Sequence, residues 1–245
     1  MFNHDALLLV GHGSSNKKDA ASPLLAHAAA IRESGVFAEV AAGTLAGEPD
    51  MVTAFDNLTA PVVHVVPFFL EDGYFTRIAI PDRLLPRVSQ SRVIRFYPPV
   101  GAHDGFAALL AARLARHCEM FGIEFRSLSV ILAGHGSSRN PGRTRRLRQH
   151  AKLIEGLGRY GWVRTAFLEE SPFLSETLAA ERGHVVAVIG YLANEGMHAT
   201  VQLPELIAAE RALRGTNWPP VHDLGCIGGD AILPRMITDL VTRTI

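Results

Sequence analysis

The chain has 245 residues, 48% of them apolar, with 24 basic and 24 acidic side chains and hence no net charge. That is material for one large or two small domains, and the charge balance excludes a global field drawing the protein to nucleic acid or an anionic membrane. Two cysteines, Cys118 and Cys226, neither in a CxxC pair, are too few for a disulfide framework and point by default to a reduced cytoplasm.

The N-terminus carries only a short apolar run, residues 6–10, too short for a signal sequence or membrane span and suited to a buried strand. A first strand is expected over 6–11, continuously apolar as in a sheet covered on both faces. An Ala- and Leu-rich helix follows at 18–33, then a strand at 37–42, a short helix at 50–58 and a third strand at 61–66. Residues 67–77 read as a loop, followed by helix 81–89, strand 92–97 and helix 104–120. Further strands are expected near 128–133, 162–167, 184–190 and 221–225. Strands alternating with helices argue for an α/β fold with parallel sheets and helices on both faces.

The second half repeats the first. LLLVGHGSS at 7–15 returns as VILAGHGSS at 130–138, an offset of 123 from His12 to His135. The same offset joins Leu45 to Leu168, Pro49 to Pro172, Gly73 to Gly196 and Pro81 to Pro204, while Gly101 aligns with Gly225 one residue later. The expected architecture is therefore two tandem four-stranded parallel-sheet lobes of flavodoxin-like type, 1–123 and 124–245, with the boundary around 121–127.

Open parallel sheets bind ligands beyond the carboxyl ends of their strands. After strands one, two and three stand His12, Ala46 and Phe75 in the first copy, and His135, Glu169 and His198 in the second. Two imidazoles and a carboxylate suit a borderline divalent metal and accept protons near neutral pH. The first copy keeps one of the three groups, so His12 reads as a vestige. Glu169 has a second reading: beside Glu170 and Ser171 it could be an acid favoured at a helix N-terminus.

Other motifs are set aside. GHGSS has no serine between its glycines, so it is not a nucleophile elbow, and Gly11 and Gly134 stand where an Arg-His-Gly phosphatase needs arginine. No GxxxxGK[ST], no GxGxxG after a strand and no HExxH is present. The run 139–150 holds Arg139, Arg143, Arg145, Arg146 and Arg148, and reads either as a solvated face or as guanidinium forks for carboxylates. His64, within VVHVV, reads as a core histidine. His4, His27, His103, His117, His150, His184 and His222 fall into no constellation.

Taken in order, a strand then GHGSS, Leu168-Glu169-Glu170-Ser171-Pro172, and Gly196-Met197-His198 leading to Leu203-Pro204 resemble the sirohydrochlorin chelatases of the ATP-independent, class II chelatase superfamily. The resemblance covers both copies. It implies a lyase-type enzyme that inserts Co²⁺ or Fe²⁺ into sirohydrochlorin or a related reduced tetrapyrrole, for cobalamin or sirohaem, between two similar lobes facing a cleft. It implies no permanently bound cofactor, the metal being a substrate, and a monomer sufficient to form the cleft, with a dimer possible. Carried over by position, His135, His198 and Glu169 are the metal ligands and catalytic groups. Ser137, Ser138, Arg139, Glu71 and Phe75 are candidate substrate contacts. Phe75 stands where the Gly-x-His histidine should be, which leaves the first copy's site incomplete. An alternative is a tetrapyrrole or metal carrier without turnover. A hydrolase built on Ser14 or Ser137 lacks a convincing triad.

Overall fold

The computed structural model describes residues 2–14, 21–88, 91–137, 144–181, 183–194, 196–215 and 220–243. In the first copy the elements run β1 (Phe2–Gly13), α1 (Ser22–Glu33), β2 (Phe37–Ala46), α2 (Met51–Asp56), β3 (Val62–Pro67), α3 (Ile80–Leu84), β4 (Val93–Phe96) and α4 (Phe106–Phe121). The second copy runs β5 (Leu128–Gly134), α5 (Arg145–Glu155), β6 (Trp162–Phe167), α6 (Leu174–Ala180), β7 (Val185–Gly190), α7 (Leu203–Arg214), β8 (Val221–Cys226) and α8 (Leu233–Thr242). Both sheets are four-stranded and wholly parallel, ordered β2-β1-β3-β4 and β6-β5-β7-β8. The fold is α/β with a duplicated architecture, as the repeat implied.

The apolar runs lie where a doubly covered sheet needs them. Residues 6–10 of β1 are fully buried, and β5 is buried along its whole length. One face of the first sheet packs Leu8, Val10, Val63 and Val65 against Met51, Phe55 and Ile80; the matching core of the second packs Ile131, Val186 and Val188 against Leu174, Leu178 and Leu203. Asp50 starts α2 by accepting the backbone N–H groups of Val52 and Thr53, which satisfies donors that the first helical turn leaves open. His64 is fully buried, bonded to Asp5 at 2.9 Å and to the Tyr97 hydroxyl at 2.8 Å, as a core histidine should be.

The copies match in detail. Gly13 and Gly136 close their strands at φ +72° and +73°, and Glu48-Pro49 and Ser171-Pro172 are both cis. The segment after the third strand differs from the loop expected over 67–77: Phe75–Ala79 and His198–Gln202 are π-helical turns leading directly into α3 and α7. Pro81 and Pro204 lack the N–H that an i→i−4 ladder needs. The chain enters the helix through wider bonds instead, Ile80 N–H to Phe75 and Leu203 N–H to His198.

The late register also differs from the expected one. A Cβ on Gly101 would meet the Leu70 carbonyl oxygen at 2.1 Å, and one on Gly228 would meet that of Ala193 at 2.0 Å. Leu70 and Ala193 are equivalents, so Gly101 corresponds to Gly228, not Gly225, and four residues enter the second copy rather than one. The extra residues enter before β8, where α7 runs on to Arg214: Val221 already pairs with Val186 as Ile94 pairs with Val63.

Compact units do not follow the repeat. One comprises Met1–His103, Ala193–Gly196 and Gly228–Ile245; the other comprises Asp104–Leu192 and Met197–Ile227. Helix α8 therefore belongs with the first sheet, where it packs on α1, and α4 with the second, where it packs on α5. Equivalent histidines mark both junctions. His27 on α1 bonds the Gly228 carbonyl at 2.7 Å, and His150 on α5 stacks on Phe106, the first residue of α4, at 5.0 Å.

Candidate metal centre

In the second unit, β5, β6 and the π-turn after β7 deliver one side chain each to a common point. A ligand atom from each of His135, Glu169 and His198 falls within 4.8 Å of the others. His135 Nδ1 is 3.7 Å from Glu169 Oε2, and His198 Nε2 is 4.0 Å from Glu169 Oε1. The imidazole centroids are 4.1 Å apart with planes at 78°. All three side chains are roughly two-fifths exposed, so the cluster is reachable from solvent.

Local folding explains the convergence. Gly136 turns the chain at φ +73° immediately after His135, and a Cβ there would lie 2.7 Å from Glu170 Cγ and 2.9 Å from Phe167 Cβ. Only glycine permits both the angle and the approach. Glu169 N–H donates to the His135 carbonyl at 2.9 Å, which ties the end of β6 to the end of β5. The wider pitch of the π-turn presents His198 from the first residues beyond β7.

Two further residues, neither read as a site residue in the sequence, hold these side chains in place. The side-chain carbonyl of Gln202 accepts from His198 Nδ1 at 2.6 Å, which makes Nδ1 the protonated nitrogen and leaves Nε2 with its lone pair. His135 Nδ1 donates to the Gly136 carbonyl at 2.9 Å, leaving its Nε2 likewise basic. Glu170, buried, accepts the Ser137 N–H at 3.2 Å and has Arg148 at 3.9 Å; Arg148 also lies over the Phe167 ring. The only sequence signal was comparative: at the 123 offset, Gln202 and Glu170 meet Ala79 and Gly47.

The first unit shows the same frame without the chemistry. His12 bonds the Gly13 carbonyl at 3.0 Å as His135 does its neighbour, but its ring meets Phe75 edge-on at 4.8 Å. A cavity of about 340 Å³ remains, lined by His12, Ala46, Tyr74, Phe75 and Arg83 among others. Glu71 is half-buried in the loop before that π-turn. Of the other candidate substrate contacts, Ser137 is bonded through its backbone to Glu170, while Ser138 and Arg139 lie outside the described residues, as does Arg143. Cys118 and Cys226 are free thiols, and among the described residues no helix is long and apolar enough to cross a membrane.

Comparison with known proteins places the chain among relatives. The family model described as CbiX matches the chain twice, over residues 6–117 and 129–244. A protein of Halobacterium salinarum named "probable sirohydrochlorin cobaltochelatase" is 30% identical over 223 residues, covering 82% of this chain and 75% of its own. A multi-domain, chelatase-like protein of Deinococcus radiodurans superposes with a TM-score of 0.82 at 26% identity; the match covers 97% of this chain and 55% of that larger one. The structure of SirB from Bacillus subtilis with Fe³⁺ shares the fold at a TM-score of 0.80 and 22% identity, over 98% of this chain and 95% of its own. Two matches to one model, covering nearly all of the sequence, leave one conclusion: the chain belongs to the CbiX family, the sirohydrochlorin chelatases that its ordered motifs resemble.

Proposed function

We propose that the protein inserts a divalent metal, Co²⁺ or Fe²⁺, into sirohydrochlorin or a related reduced tetrapyrrole, without ATP, at the centre built on His135, Glu169 and His198. The observation that carries this reading is the internal comparison. The second copy gathers three metal-ligating side chains within 4.8 Å, and the same frame in the first copy holds His12, Ala46 and Phe75.

The chemistry has three requirements: the hydrated ion must lose water, the macrocycle must be held, and two pyrrolic protons must leave as the metal enters. The Nε2 lone pairs of His135 and His198 replace water on the ion. Three protein ligands leave coordination positions open, as transfer to a macrocycle demands. Glu169, placed beside both imidazoles, balances the ion's charge and accepts one departing proton, and an imidazole released by the metal accepts the other; a positioned base contributes about 10²–10⁴-fold. In this reading Ser137, beside His135, contacts the tetrapyrrole, and the enzyme works in a reducing cytoplasm where both cysteines stay thiols. The relatives' names mention cobalt in one case and Fe³⁺ in another, so both metals are assayed.

The test is anaerobic absorbance of sirohydrochlorin with Co²⁺ and with Fe²⁺. His198→Ala abolishes the catalysed rate with the fold intact, and His12→Ala costs far less. Equal losses in both variants overturn the assignment to the second copy. Ligand binding without any rate enhancement overturns the enzymatic reading.

A further inference from the structure

Within the second unit, α4, α7 and the edge strand β8 line a cavity of about 450 Å³ that shares no residue with the metal centre. Its volume falls within the range of small-molecule sites, about 300–1,000 Å³. Three guanidiniums line it: Arg113 and Arg116 from α4, and Arg211 from α7. Two of them are pinned. Arg113 donates to the Leu224 and Cys226 carbonyls, and Arg211 Nε donates to the Val221 carbonyl at 2.6 Å. A fork anchored through part of its donor set has already lost its rotamer freedom, so it binds an anion with less entropic cost. Neither Arg116 nor Arg211 is ion-paired among the described residues.

The rest of the wall is aromatic. Phe121 lies 4.7 Å from the His117 ring and 5.1 Å from that of His222, and the two imidazoles are joined, Nε2 to Nδ1, at 2.7 Å. Burial lowers the pKa of both histidines, so the wall is neutral. Phe121 is 57% exposed, a large ring left in water beside a cluster of cations. The Asp223 carboxylate, which also lines the cavity, accepts the Gly225 N–H at 2.8 Å.

The duplication supplies a control. By the register of the two copies, Arg211 corresponds to Val88 and Arg113 to Leu240. The first unit builds the same fold without these two guanidiniums, so the fold does not require them; Arg116 alone has an arginine counterpart, Arg243.

We propose that this cavity is a second ligand site, for a small molecule carrying a dianionic oxyanion (a phosphate monoester or paired carboxylates) on a ring. Guanidinium forks match both oxyanions, three guanidiniums against the one Asp223 carboxylate leave a net positive lining that favours a dianion over a monoanion, and the Phe121–His117–His222 wall takes the ring. The site is independent of the metal reading.

The test is calorimetric titration of the full chain at low salt with phenyl phosphate, phthalate and inorganic phosphate. We expect phenyl phosphate or phthalate to saturate at or below about 1 mM and to bind about fivefold tighter than inorganic phosphate. Which of the two binds identifies the oxyanion. Arg116→Gln should weaken that ligand about tenfold, as loss of a charge-assisted contact does, with unchanged circular dichroism. Phe121→Ala should remove the preference for a ring, and His198→Ala should change nothing. Absence of saturation by about 10 mM, or undiminished affinity in Arg116→Gln, overturns the proposal.

Discussion

Gln202 accepts a hydrogen bond from His198 Nδ1 at 2.6 Å, one turn along the same π-helical segment, and thereby decides which nitrogen of His198 faces Glu169. Outer partners of this kind contribute about 10–100-fold to metal affinity. Gln202→Ala is therefore expected to weaken Co²⁺ binding by about that factor and to leave the melting temperature almost unchanged. Anaerobic titration of the cobalt absorption band measures it; unaltered affinity would show that the bond does not set the tautomer.

Glu170 works on the other histidine. Its carboxylate is buried and receives the Ser137 N–H, two residues beyond His135. Glu170→Ala frees that N–H and loosens the turn, with an expected loss of about 10–100-fold in metal insertion, while Glu170→Gln, which keeps an acceptor, retains most of the rate. Comparing the two variants separates positioning from charge: equal loss in both would assign the effect to the negative charge.

The first copy can be used to rebuild the site. His12 is in place, so Ala46→Glu with Phe75→His restores the triad of side chains on an equivalent frame. In a His135→Ala/His198→Ala background, the expected result is one Co²⁺ bound about 10–100-fold more weakly than by the native centre, because Ala79 stands in place of Gln202. Adding Ala79→Gln should recover part of the difference. No binding in any combination would mean that the three ligand types are insufficient on this frame.

His150 gives a pH signature. Burial above all, with Arg146 nearby, pushes its pKa down from 6.5 to about 4. The unfolded chain takes up this proton near pH 6.5 and the folded chain only near 4, so the stability at stake is whole above 6.5 and is lost as pH falls through about 4. The urea midpoint should fall over that window, and by less in His150→Gln, which keeps a partner for the Tyr191 hydroxyl. An identical fall in both proteins would remove His150 as the cause.

Much of the fold was legible because parallel strands buried on both faces leave continuous apolar runs, and because GHG and the paired prolines recur at one spacing. The glycine after each strand-end histidine was visible for the same reason: φ near +72° with backbone at contact distance tolerates nothing else. What escaped the sequence was non-local. Helices α4 and α8 carry apolar stripes that specify burial but not which sheet they cover. Gln202 becomes a partner of His198 only because a π-turn brings the two together, and that turn depends on a proline six residues beyond the histidine. The His117–His222 pair joins residues 105 apart in sequence. No motif encodes such a pairing.

The placement of α8 has a consequence for synthesis. Residues 228–243 complete the unit that begins at the N-terminus, burying Leu233, Ile237 and Val241 beside α1. On a nascent chain the first sheet keeps one flank bare until residues 228–243 have been made. The second sheet, which receives α4 from upstream, can close earlier. Of the two units, the one begun first is thus finished last, and a chain broken off before residue 228 would lose the packing on α1.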